Sequence, residues 1–313
     1  MKTSSPSILF MGTPAFAATA LLGLVEAGFN VIGVITQPDK QSGRGGKISP
    51  SEVKIVADKH KIPVFQPETK DSLVMVVGKQ KPELIVVAAY GMIVPQAVLD
   101  IPKHGALNIH GSLLPQYRGA SPITEAILNG ETETGITIMK MSAGMDEGPI
   151  ISNYQLPISK DDTTESLTKK MATLGALAIV ETIPGWISGA LEATPQNESL
   201  ATYCKKVTKE DGHIDWNESA KKIERMVRAY TPWPTAYSFV GGLRIKLLKT
   251  VWIPASAGMT NKIGKLTFEN GHIYVGTGDG ILEIIELQPE GKKPMSAKDF
   301  INGNGKLDKL KLN

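Results

Sequence analysis

Leu84-Ile85-Val86-Val87-Ala88-Ala89 is a run of six apolar residues without alternation. Such a run describes a strand buried on both faces, and strands of that kind belong to parallel sheets covered by helices on either side. Working outward, Ser7-Ile-Leu-Phe-Met11 is a second strand, and Gly12-Thr13-Pro14 turns from it into a helix that reaches Ala27. Asn30 to Ile35 is a third strand, Ser51 to Lys61 a helix, and Val64-Phe65 begins a short strand. Alternating strands and helices over residues 1–190 imply a parallel sheet with right-handed crossovers. Ligands of such sheets lie at the carboxyl ends of the strands, here the segments after Met11, Ile35, Ala89 and Ile109. The turn at Gly12 has one of the three glycines a dinucleotide fingerprint needs, and Pro14 pre-sets a helix start instead. No dinucleotide is expected.

Past residue 190 the pattern changes. Residues 191–208, with the polar stretch Thr194-Pro-Gln-Asn-Glu-Ser199, read as a connection to a second domain of residues 209–313. Ala220 to Ala229 is a charged amphipathic helix, closed by Tyr230-Thr-Pro-Trp-Pro234. Short runs follow at Ala236–Val240, Arg244–Leu248, His272–Val275 and Ile281–Ile285, separated by Gly-Gly, Glu-Asn-Gly and Gly-Asp-Gly turn signals. Evenly spaced short strands suggest a small β-barrel. Trp252-Ile-Pro-Ala-Ser-Ala-Gly-Met-Thr260 interrupts that pattern with a proline and a glycine and reads as a surface insertion.

The charge is divided unevenly. Residues 1–204 hold 16 Lys+Arg against 19 Asp+Glu, a net of −3, whereas residues 205–313 hold 18 against 12, a net of +6. A basic appendage beside a near-neutral domain suits a polyanionic partner, although a solvated lysine-rich surface has the same composition. The single cysteine, Cys204, excludes an internal disulfide, and the five dispersed histidines have no zinc-ligand spacing. No metal is expected, and a reducing, cytoplasmic setting is. No signal-peptide core and no apolar run of membrane-spanning length are seen, so no membrane role is expected, nor is an obligate protein partner implied.

The chemistry concentrates in Ala106-Leu-Asn-Ile-His-Gly111 and Ala143-Gly-Met-Asp-Glu-Gly148. In an extended segment the side-chain period is two, so Asn108 and His110 share a face while Leu107 and Ile109 enter the core. Asp146, arriving from another strand end, completes an amide, an imidazole and a carboxylate. Acyl transfer to an amine needs those groups, as donors to a developing oxyanion and an acceptor for the amine's proton. Each alone has an ordinary structural reading, and Asp146 alone suits a turn.

Ala106-Leu-Asn-Ile-His-Gly-Ser-Leu-Leu-Pro115, Tyr117-Arg-Gly-Ala-Ser-Pro-Ile123, Thr134-Gly-Ile-Thr-Ile-Met139 and Gly144-Met-Asp-Glu-Gly148 resemble the folate-dependent formyltransferase family. Thr36-Gln-Pro-Asp-Lys-Gln-Ser-Gly-Arg-Gly-Gly-Lys47, Ile214-Asp-Trp-Asn, Ala229-Tyr-Thr-Pro-Trp-Pro and Ala297-Lys-Asp-Phe resemble its branch acting on methionyl-tRNA. The terminus Lys306–Asn313 departs from the branch's aromatic and glycine ending. The resemblance implies a Rossmann-like catalytic domain and a barrel related to the oligonucleotide-binding fold. It further implies transfer of formyl from 10-formyltetrahydrofolate to methionine on initiator tRNA. By the same resemblance Asn108, His110 and Asp146 are catalytic, and Ser112, Leu113, Leu114 and Pro115 hold the folate. Val87, Ala88, Ala89, Tyr90 and Gly91 would line its pterin pocket.

Arg44, between Gly43 and Gly45 and flanked by Lys40 and Lys47, sits in a loop that glycine lets reshape and suits tRNA contact. Lys205, Lys206 and Lys209 are the candidates for a phosphate path beside the second domain. Three rivals remain. A nucleotide-linked amino sugar as acceptor would not need the Gly-Arg-Gly loop, formyltetrahydrofolate hydrolysis would not need a basic second domain, and an RNA-binding module would not need the folate motif.

Overall fold

The fully apolar runs become the centre of a sheet. The computed structural model describes residues 6–42, 47–254, 262–307 and 310–312. In chain order the first elements are β1 (Ile8–Gly12), α1 (Ala15–Glu26), β2 (Val31–Ile35), β3 (Lys40–Ser42), β4 (Lys47–Ser49), α2 (Glu52–Lys59) and β5 (Val64–Phe65). There follow α3 (Lys70–Gln80), β6 (Leu84–Ala88), α4 (Gln96–Leu99), β7 (Ala106–His110), β8 (Arg118–Gly119), α5 (Pro122–Asn129), β9 (Glu133–Lys140), β10 (Ile150–Pro157), α6 (Thr164–Ser188) and β11 (Tyr203–Cys204). One unit comprises residues 1–122, 133–157 and 168–204, and a second comprises 123–132, 158–167 and 205–313. Of the stretch read as a connection, residues 191–204 therefore belong to the first unit and 205–208 to the second.

The first unit is built on a seven-stranded sheet of order β10-β9-β7-β6-β1-β2-β5. Every residue of β1 and β6 is buried, as their unbroken apolar runs require. Strands β7, β6, β1, β2 and β5 are mutually parallel, whereas β9 is antiparallel to β7 and β10 to β9. The expected parallel sheet thus acquires an antiparallel edge: β9 lies antiparallel to β7 although α5 intervenes, and β10 returns along β9 with no helix between them. Chain order reverses between β1 and β6, which makes their carboxyl ends the switch point where ligands of open α/β sheets bind. Local signals agree. Pro14 precedes α1 in an extended conformation, and the Ser51 hydroxyl caps α2 by accepting from Lys54 N.

Helix α6 corrects one expectation, since it is long and apolar enough by length and composition to cross a membrane. Its apolarity has a packing cause. Met171, Ala178, Ile179 and Ile183 are buried, and a side chain at Gly175 would collide with Ile109 of β7 while one at Gly23 of α1 would press on Ala176. A helix laid this closely on a sheet and a neighbouring helix must be apolar and small-residued on that side.

The second unit adds α7 (Ala220–Ala229), β12 (Tyr237–Val240), β13 (Leu243–Ile253), β14 (Leu266–Glu269), β15 (His272–Gly276), β16 (Ile281–Pro289), β17 (Met295–Ser296) and α8 (Ala297–Asn304). Its antiparallel sheet runs β12-β13-β16-β15-β14, with β17 on β16, and curls into a half-barrel. Ile223 and Val227 of α7 join Trp216, Leu247, Leu282, Leu287 and Phe300 in its core. Leu312 is bridged to Val240 of β12, and Lys311 to Lys265, the residue before β14, so these two residues meet both ends of the strand order. Strand β13 runs longer than its sequence pattern indicates. Trp252 and Ile253 pair with Leu282 and Ile281, so they belong to the sheet and not to an insertion. Pro254, which has no N–H to continue the ladder, follows the strand. Residues 255–261 lie outside the described residues.

Candidate active site

Strand β7 lies between β6 and β9, and its carboxyl-terminal half carries both Asn108 and His110. Asn108 is beside Val87 of β6 and Met139 of β9, which places it near the switch point. Its side chain is half-buried, and among the described residues no hydrogen bond engages its amide. Its two donors are therefore available to a ligand.

His110 is only 5% exposed. Its Nε2 lies 3.1 Å from the Tyr117 carbonyl oxygen, and because a carbonyl only accepts, Nε2 carries a hydrogen there. Proton gain and loss then fall to Nδ1. That nitrogen faces Asp146 Oδ1 at 3.6 Å, longer than a good hydrogen bond. The other carboxylate oxygen accepts from Gly119 N at 2.9 Å. The backbone holds these groups in uncommon conformations. Asp146 (φ 56°), Tyr117 (φ 58°) and Ala89 (φ 43°) all occupy the left-handed region, at a cost on the order of 1 kcal/mol or more each. Such residues persist where surrounding contacts over-determine them.

The expected folate segments are held from within. The Ser112 hydroxyl is buried and donates to Gln116 O at 2.6 Å, so it positions its own loop. Leu113 packs where a side chain at Gly135 would stand. Leu114 N donates to Thr137 Oγ1 at 3.0 Å, and the Thr137 hydroxyl lies 2.7 Å from both Ser112 O and Asn153 Oδ1. The Pro115 carbonyl accepts from Thr202 N. Val87 and Ala88 are buried at the end of β6. Tyr90 sends its ring into the core with Leu9, Met11 and Val87, and burial pushes its phenol pKa upward. Its carbonyl accepts from Thr13 Oγ1 and Gln37 Nε2, tying together the chain beyond β1, β2 and β6. Gly91 adopts a left-handed backbone (φ 81°) that L side chains rarely take, and Gln37 Nε2 stands where its β-carbon would be.

The expected tRNA-contact residues divide into two groups. Lys40 and Lys47 lie on β3 and β4, which pair antiparallel, while Arg44 lies outside the described residues. Lys205, Lys206 and Lys209 are exposed in the second unit. Lys205 is ion-paired with Asp211 at 2.7 Å, which raises its pKa, whereas Lys206 and Lys209 form no such pair among the described residues.

Two residues of this site, Arg118 and Gln196, receive no role from the sequence, although Arg118 lies in a family-like motif. Arg118 is a completely buried cation, its pKa raised by hydrogen bonds from its guanidinium to Glu198, whose carboxyl it holds below the usual range. Gln196 donates to the carbonyls of Asp146 and Gly148. A glutamine in a polar stretch looks like linker, and only an unusual burial would have distinguished Arg118 within its motif.

Formyl transferase matches residues 7–183, and formyl transferase, C-terminal domain, matches residues 206–305. The chain belongs to the formyl transferase family. Methionyl-tRNA formyltransferase of Geobacter metallireducens is 45% identical over 299 residues, covering 95% of this chain and 95% of that relative. The enzyme of the same name from Pseudoalteromonas translucida is 42% identical over 300 residues, covering 95% and 93%. Among solved formyl transferases, the N-formyltransferase of Helicobacter canadensis in complex with folinic acid and dTDP-3-aminofucose superposes with a TM-score of 0.68 at 20% identity, covering 89% of this chain and 98% of that one. At that identity the likeness concerns the fold alone.

Proposed function

We propose that this formyl transferase moves the formyl group of 10-formyltetrahydrofolate to the α-amino group of methionine esterified to initiator tRNA. The observation that carries the choice of acceptor is agreement over nearly the whole chain with enzymes named for methionyl-tRNA. The chemistry is supported by the His110–Asp146 pair and by Asn108 two residues before His110 on the same strand, next to β6 at the sheet's switch point. Val87 to Gly91 and Ser112 to Pro115 flank that point and are the groups that would hold the folate.

An α-amino group has a pKa of about 7.7–8.0, so near pH 7 a fraction is already neutral and nucleophilic. As it attacks the formyl carbon, the Asn108 amide donates to the oxygen on which negative charge develops. His110, its Nε2–H fixed on Tyr117, accepts the proton lost by the amine at Nδ1. Asp146 stabilises the resulting imidazolium, and His110 returns the proton to the departing folate nitrogen as the old C–N bond breaks. Positioning of the two substrates supplies much of the remaining rate. Lys206, Lys209 and the Arg44 loop are the groups proposed to meet tRNA phosphates.

The test incubates purified protein and 10-formyltetrahydrofolate with methionyl initiator tRNA, with a nucleotide-linked amino sugar, or with water alone. Formyl-methionyl-tRNA is the expected product. Preferential formylation of the sugar, or release of free formate, would overturn the reading.

A further inference from the structure

The two backbone groups that hold the catalytic pair are the immediate neighbours of Arg118. Tyr117 O receives His110 Nε2–H, and Gly119 N holds the Asp146 carboxylate. The Arg118 guanidinium donates to Gln196 Oε1 through Nε at 3.0 Å and Nη2 at 2.8 Å. It also grips Glu198 through both terminal nitrogens at 2.9 and 2.8 Å, with Nη1 3.2 Å from the Tyr203 hydroxyl. Gln196 Nε2 in turn donates at 2.7 Å to Asp146 O and at 2.7 Å to Gly148 O. With the covalent step from Tyr117 through Arg118 to Gly119, these hydrogen bonds tie His110 at one end to Asp146 at the other, and the two side chains face each other at 3.6 Å across the gap. Because guanidinium has only donors, it fixes the Gln196 oxygen on itself and turns the amide's two hydrogens onto the carbonyls.

We infer that Gln196, locked by Arg118, is a positioning residue that sets the separation between His110 and Asp146. The inference rests on the proposed roles of that pair. Asp146 has a left-handed backbone, and the turn holding it there is gripped by its own carbonyl and by that of Gly148. Loss of this grip lets the turn relax and the carboxylate move away from Nδ1. A misplacement of about 1 Å costs on the order of 100-fold in rate. Gln196, Glu198 and Tyr203 fall between the two stretches matched by the formyl transferase domains, residues 7–183 and 206–305.

The experiment is a double-mutant cycle on the full chain, with kcat and KM measured for methionyl-tRNA and 10-formyltetrahydrofolate. Gln196→Met keeps the side chain's length but removes its donors and acceptor; kcat should fall about 10–100-fold with both KM values within about threefold. In an Asp146→Asn background the same change should cost less than about threefold, because a residue acting through Asp146 has nothing left to position. Gln196→Glu keeps the side chain's length and its acceptor for Arg118 and removes both donors. It should show the same kcat loss even if Gln196→Met does not fold. An equal cost of Gln196→Met in both backgrounds, or wild-type kcat in folded Gln196→Glu, would overturn the inference. Wild-type turnover by Asp146→Asn alone would overturn the assignment of the site and the inference with it.

Discussion

Replacing Thr137 by Val tests how the candidate folate loop is built. The swap preserves shape and removes one hydroxyl at a fully buried position. That hydroxyl accepts from Leu114 N at 3.0 Å and, having one hydrogen, donates to Ser112 O or Asn153 Oδ1, each 2.7 Å away. Asn153 is exposed and regains water, so its loss is small. Leu114 N–H is left buried without an acceptor, which costs about 1–3 kcal/mol, and the weakened Ser112 carbonyl adds to it. A total of about 2–3 kcal/mol lowers Tm by roughly 4–12 °C for a domain of this size. Because the broken bonds tether both ends of Ser112–Leu114, the folate affinity should also fall, by about tenfold if ~1.4 kcal/mol of the cost is localised there. Thermal unfolding by circular dichroism and calorimetric titration with 5-formyltetrahydrofolate measure the two effects. A Tm within about 1 °C of wild type, well below the expected shift, together with an unchanged Kd would refute the reasoning.

Asn108→Ala and His110→Ala should each lower kcat by about 10²–10³ with little change in folate binding, and wild-type turnover by either purified variant would remove it from the catalytic group. Arg44→Ala should lower kcat/KM for methionyl-tRNA and spare folate affinity, as steady-state kinetics with each substrate varied would show. Joint replacement of Lys205, Lys206 and Lys209 by Ala should weaken tRNA binding and flatten its salt dependence by roughly 0.7–0.9 in log–log slope for each phosphate no longer neutralised. Lys205 should contribute least, since Asp211 already offsets its charge. Glu198 has its pKa lowered from 4.5 by Arg118, so its stabilising contribution is complete above the unfolded value and disappears as pH falls through the folded one. The Tm difference between wild type and Glu198→Gln should therefore be present at pH 6 and shrink toward pH 3; a difference independent of pH would contradict the ion pair's role.

The parts legible in sequence are those encoded by neighbouring residues. Leu84–Ala88 and Ile8–Gly12 are strands because unbroken apolar runs need cover on both faces, and Ala220–Ala229 is a helix because its apolar residues recur at helical spacing. Asn108 and His110 share a strand face by the two-residue period alone. The antiparallel β9–β10 edge, the length of β13 through Ile253 and the apolar packing of α6 depended on which partners the chain met. The same holds within the site. Sequence placed Asp146 with His110 by resemblance, but only folding decided that Tyr117 O would fix Nε2, that Thr137 would hold Leu114, and that Gln196 would grip the Asp146 turn. Hydrogen bonds between distant residues leave no local periodicity. A buried cation such as Arg118 is tolerated only when its partners arrive from elsewhere in the chain, so its burial becomes visible only in the tertiary structure.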